Sequence, residues 1–139
     1  MIPSNAASRP ATRLARRCLV TGAVLMLLAV MLGAFGAHVL QAQLTPKQLA
    51  SFQTGVSYQV YHALALVLLG IVALVTAPSR WLPRAAGLML FGIACFSGSI
   101  YAMTFGAPRW LGMVTPVGGV SFMLGWIAFA LHAKEVTSG

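Results

Sequence analysis

Hydrophobic and polar positions alternate in long blocks along this chain. Four apolar runs, 18–40, 58–77, 85–105 and 111–131, are separated by short polar or proline-containing connections. Each run matches the roughly 20 helical residues needed to cross a hydrocarbon core of about 30 Å, where only helices or closed barrels satisfy every backbone group. The pattern predicts an all-α membrane protein with four transmembrane helices in a compact left-handed bundle. It divides into a basic cytoplasmic N-terminal segment (1–17), the transmembrane domain (18–133) and a short cytoplasmic tail (134–139).

Between the first two runs, Thr45, Pro46 and Gln48 spell a helix start: a hydroxyl cap, proline in the first turn and a capping-box glutamine. Leu49, Phe52 and Val56 then recur at spacings of three and four. This predicts a short interfacial helix before the second span, with a bend at Gly55. Pro78, Ser79 and Pro83 mark one tight turn, and Gly106, Ala107 and Pro108 another. Trp81, Trp110, Tyr58 and Tyr61 fall where aromatic belts sit.

Small residues predict how the spans meet. Ala29, Gly33 and Ala37 repeat every four positions on the first helix, Ala94, Gly98 and Ala102 on the third, and Ser121 with Gly125 on the fourth, so all eight are expected at helix contacts.

Composition supports the membrane class: 59% of residues are hydrophobic, 7% are charged, and the mean hydropathy is +0.87. The net charge of +8 would suit a nucleic-acid partner if it formed an exposed face, but the charges flank apolar spans instead. Arg9, Arg13, Arg16, Arg17, Arg80, Arg84 and Lys134 fall on one side, against Lys47 and Arg109 on the other. The positive-inside rule therefore places both termini in the cytoplasm.

Two other readings of the amino terminus are weaker. The first run exceeds the about 7–15 apolar residues of a secretory signal core, and Met1 to Arg17, with Ser4, Ser8 and four arginines, is also readable as a transit peptide. The preferred reading is a basic extension that meets anionic lipid headgroups.

Polar residues within the spans carry the candidate chemistry. His38, Gln59, His62, Ser97, Ser99, Tyr101 and Thr115 all fall toward the expected outer side, and Gln59 and His62 share a helix face. They are expected to form an interhelical hydrogen-bond network. The alternative is an outward-facing pocket for a small solute, an ion or a lipid headgroup. A metal site at His38 and His62 is disfavoured, because no carboxylate or thiol lies at that depth. No cofactor is expected.

The chain has no Asp and one Glu, Glu135, which removes carboxylate proton relays and magnesium-phosphate sites. Cys18 and Cys95 lie at different depths, too far apart for a disulfide. Ser97 or Thr115 with a histidine base would be a nucleophile, but nothing marks an oxyanion hole. The expectation is no enzyme activity.

Four strings in order, Gly33 to His38, Tyr58 to Leu64, Phe96 to Tyr101 and Thr115 to Gly119, followed by Gly125-Trp126, resemble the YgdD-like family of small bacterial inner-membrane proteins. The family has no assigned function, so the resemblance implies a multi-span protein of the bacterial inner membrane and no particular activity. The basic segment from Arg9 to Arg17 is longer than the resemblance leads one to expect. Two hypotheses follow: a structural or accessory protein packing against itself or another membrane protein, and a small transporter or channel.

Overall fold

Thr45 starts the second helix as its residues require: its hydroxyl accepts from the Gln48 backbone N–H, and Gln48 Oε1 accepts in return from the Thr45 backbone N–H at 3.0 Å. The computed structural model describes residues 8–138, and side chains from Pro10 onward. Ser4 and the side chain of Arg9 lie outside the described residues. Four helices run antiparallel in chain order: α1 (Ser8–His38), α2 (Pro46–Val75), α3 (Trp81–Thr104) and α4 (Val114–Thr137). Single 3-10 turns, Leu40–Ala42 and Arg109–Met113, make the α1–α2 and α3–α4 connections. Gly106, at φ +95°, sits in the latter, a conformation that side-chain-bearing residues rarely adopt.

All four helices are long and apolar enough to span a membrane. The start of α1, the end of α4 and the α2–α3 turn lie together at what we call the basic end; the other two connections form the far end.

The expected interfacial helix with a bend at Gly55 is not separate. Residues from Pro46 onward form one unbroken helix with the second span. Phe52, read as facing the interface, is fully buried, with its ring against Tyr101 (centroids 5.3 Å apart) and Phe105 (6.5 Å), and close to Gly36 of α1. At Gly55 α3 comes close: a Cβ there would lie 3.1 Å from Tyr101 Cε1. The amphipathic pattern was real, but the apolar face meets protein instead of lipid.

α2 and α3 are the inner helices: α2 packs on α1 along one side and on α3 along another, and α3 in turn packs on α4. α1 makes no extensive contact with α3 or α4. The core lies where α2, α3 and α4 converge, around Leu66, Leu69, Leu82, Ala85, Met89 and Phe122, with Ala15 and Cys18 closing it from α1.

The seams differ from those expected. On α1 the buried small residues are Ala15, Cys18, Gly22, Ala29 and Gly36, spaced by three, four and seven. A Cβ on Gly22 would meet the Ala63 carbonyl oxygen at 2.9 Å. Ala29 lies on this seam, Gly33 at its edge near Val56, and Ala37 is exposed. On α3, Ala94 is exposed, Ala102 is half-buried, and a Cβ on Gly98 would meet no other helix within 4 Å; Gly92, against the Phe122 ring, is the tight position. On α4, Ser121 and Gly125 are buried: Ser121 Oγ donates to the Leu88 carbonyl at 2.7 Å, and Gly125 lies against Met89. Gly118 approaches the Phe96 backbone most closely of all. On α1 a step of four overshoots one turn of 3.6 residues by about 40°, so the stripe that starts on the seam at Ala29 has wound off it by Ala37. On α3 the stripe lies off the tight contact from its start, with Ala94 and Gly98 lining a cleft toward α1.

Candidate functional site

The expected polar level resolves into three bonded groups and one outlier. The first centres on Gln59 of α2, which is buried. Its Nε2 donates to the Leu25 carbonyl of α1 at 2.8 Å, and its Oε1 accepts from the Tyr101 hydroxyl of α3 at 2.8 Å. One turn earlier on α2, the Gly55 carbonyl accepts from Ser97 Oγ at 2.7 Å. Gln59 therefore ties three helices at one point.

The second group centres on His62, which turns away from Gln59 toward α4. A step of three positions separates two side chains by about 60° around the helix, enough to send them to different neighbours. The imidazole stacks on Phe122, with centroids 3.4 Å apart and planes 10° from parallel. His62 Nδ1 lies 2.7 Å from the Tyr58 carbonyl, and Trp126 Nε1 donates to His62 Nε2 at 3.3 Å. A carbonyl only accepts and an indole N–H only donates, so the partners specify the neutral tautomer with its hydrogen on Nδ1.

The third group joins α3 to α4: Ser99 Oγ and Thr115 Oγ1 are 2.6 Å apart, and Ser99 also donates to the Phe96 carbonyl at 3.0 Å. His38, the last residue of α1, is exposed and outside all three groups. His38 and His62 therefore do not converge on a common ligand. Among the described residues no three His, Cys, Asp or Glu side chains are grouped to hold a metal ion. Cys18 and Cys95 are both free thiols.

Above the first group lies a cleft of about 610 Å³, between α1 and α3, with α2 as its floor. Leu28, Met31 and Phe35 line one wall, Ala94 and Gly98 the other, and Gln59, Ser97 and Tyr101 the base. The polar atoms at that base are already paired with one another or with backbone, so the cleft presents a mainly hydrocarbon surface.

His132 of α4 was missed. It is buried near the basic end. Thr76 Oγ1 donates to the Val72 carbonyl at 2.8 Å, so it accepts from His132 Nε2 at 3.2 Å, and Nδ1 is left as a buried acceptor without a partner among the described residues. The signal was present in the spacing: Gly118, Ser121, Gly125, Ala128 and His132 continue one seam by steps of three and four.

The chain matches, over residues 32–119, the family model described as "Protein of unknown function (DUF423)". It is 41% identical over 117 residues to the UPF0382 membrane protein YwdK of Bacillus subtilis (84% of this chain, 95% of the relative). It is 39% identical over 118 residues to the UPF0382 inner membrane protein YgdD of Escherichia coli (85% and 89%). A Staphylococcus epidermidis UPF0382 membrane protein is 38% identical over 114 residues (81% and 91%). No solved structure matches. With the four spans in place and relatives aligned over nearly their whole length, the chain belongs to the DUF423 family of UPF0382 membrane proteins.

Proposed function

We propose that this protein is a non-enzymatic, structural or accessory component of the inner membrane, with both termini in the cytoplasm. The observation that carries this reading is that the polar side chains inside the spans are spent on holding helices together. Ser97, Ser99 and Thr115 Oγ atoms are committed to neighbouring carbonyls or to each other, and the Gln59 and His62 polar atoms have partners on α1, α2, α3 or α4. A nucleophile needs an activating base and an open path to substrate, and here each candidate hydroxyl is already bonded within the fold. The seven-to-two distribution of cations supports the orientation. The exposed apolar faces of α1 and α4 suit packing against a second copy or another membrane protein. The competing reading, a small transporter or channel, draws on the cleft above Gln59 and Tyr101, whose hydrocarbon walls suit an apolar chain better than a hydrated solute.

Single cysteines at positions 59, 62 and 101, in a Cys18→Ser, Cys95→Ser background, test the reading with an impermeant thiol reagent added to the far-end side. Protection of all three relative to a cysteine in the 40–45 connection is expected. Labelling at 62 and 101 as fast as in that connection would replace the accessory role with a water-reached pocket. Mass measurement in mild detergent then determines whether the protein travels alone, as a symmetric oligomer or with another subunit.

A further inference from the structure

Between the basic ends of α1 and α3 lies a second hollow, a groove of about 560 Å³. Arg13 and Arg17, one turn apart on α1, line it together. Its other walls include Leu14 of α1, Ala73 of α2, and Leu82 and Pro83 of α3. Among the described residues no carboxylate lines it. Glu135, the one acidic side chain of the chain, accepts from Ser79 Oγ at 3.1 Å at the groove's rim. Of the other described arginines at this end, the Arg80 and Arg84 guanidiniums lie 5.0 and 5.2 Å from the Trp81 ring centroid, and Arg16 is exposed without lining the groove.

We propose that this groove binds one anionic phospholipid, with Arg13 and Arg17 holding its phosphate and the hydrocarbon walls taking the start of an acyl chain. Paired guanidiniums match phosphate oxygens in geometry and charge. The path for the chain is written on α1 at seven-residue spacing: Pro10 and Arg17 line the groove, Val24 is exposed beyond it, and Met31 lines the cleft farther along. Leu14 in the groove and Leu28 and Phe35 in the cleft fall at multiples of the same spacing, with Thr21 between them. Both hollows therefore lie along one stripe of α1, on the side where α1 and α3 do not pack. Half a bilayer is about 15 Å of hydrocarbon, so a tail entering beside Arg17 runs about ten helical residues, to the edge of the cleft. A free phosphate ion would use the arginines and none of this surface, which is why a lipid is the occupant.

The proposal gives a defined site to the anionic-lipid contact expected of a cytoplasmic basic end, and to that extent rests on the orientation above. Binding in detergent does not depend on orientation, so the two fail separately. The purified full-length protein is titrated with phosphatidylglycerol, phosphatidylcholine or inorganic phosphate, and bound lipid is counted by native mass spectrometry. One phosphatidylglycerol per chain should bind in preference to phosphatidylcholine. Arg13→Gln/Arg17→Gln should weaken it about thirtyfold, equivalent to about 2 kcal/mol at 1.4 kcal/mol per factor of ten, while Arg16→Gln leaves it unchanged. Ala11→Trp, which fills the groove and keeps both charges, should also abolish binding, and it decides the matter if the double variant fails to melt cooperatively. Equal binding of phosphatidylcholine, retention of phosphatidylglycerol by the variants, or its displacement by millimolar inorganic phosphate would each overturn the lipid site.

Discussion

Gln59 touches α1 through a carbonyl and α3 through a phenol, so its loss is felt by two helix contacts at once. Gln59→Leu is expected to lower the melting temperature in detergent. A double-mutant cycle with Tyr101→Phe should give a coupling of about 0.6–1.7 kcal/mol, the range for hydrogen bonds between membrane helices; a coupling of zero would mean the two side chains do not meet. The polar residues of this level could be found from sequence because each interrupts an apolar run. Their partners could not, because Leu25 and Gly55 take part through backbone carbonyls that no residue identity announces. His132 was hidden for another reason. It stands near the end of its span, just before Lys134 and Glu135, where a polar residue reads as boundary.

At the scale of the helix, the seams were legible in kind and misplaced in phase. Ser121 and Gly125 fall on the observed α4 seam because they are adjacent members of a three-and-four pattern, whereas Ala94 and Gly98 lie on another face of α3, lining the cleft toward α1. Two conservative substitutions separate the patterns. Gly118→Ala puts a methyl group against the Phe96 backbone, which cannot rotate aside, and should cost about 1–3 kcal/mol. Gly98→Ala meets only its own helix's Ile93 carbonyl at 4.0 Å and should be neutral or slightly stabilising, since alanine is the better helix former. Equal losses in thermal melts of the two variants would restore the four-residue seam. The start of α2 was legible to the residue in Thr45, Pro46 and Gln48. Its continuity past Gly55 was not, because a glycine that admits a neighbouring helix and one that permits a bend look alike without the neighbour.

For the molecule as a whole, the membrane class follows from hydropathy, and antiparallel neighbours follow from short connections. Which helices occupy the inner positions does not follow from connection length. The first run is the most apolar and the least buried, but hydropathy does not separate the other three, among which α2 and α3 each pack on two neighbours. Orientation is a property of the whole chain as well, since the cations that set it are distributed over three segments of the basic end. Reporters fused at the two termini should both read as cytoplasmic, and adding lysines beside Lys47 should erode that preference, because charge near span ends biases insertion. A carboxyl-terminal reporter active outside the cytoplasm would reverse the assignment.

The tight glycine contacts at Gly22 and Gly118 lie within hairpins, α1 with α2 and α3 with α4. The contacts that Gln59 and His62 make with Tyr101 and Trp126 run between the hairpins. During synthesis the first hairpin can therefore close while the second is still on the ribosome, with Gln59 Oε1 and His62 Nε2 facing lipid unmatched until Tyr101 and Trp126 arrive. Such a nascent half exposes two polar acceptors to hydrocarbon, the kind of mark by which an unfinished membrane protein is distinguished from a finished one.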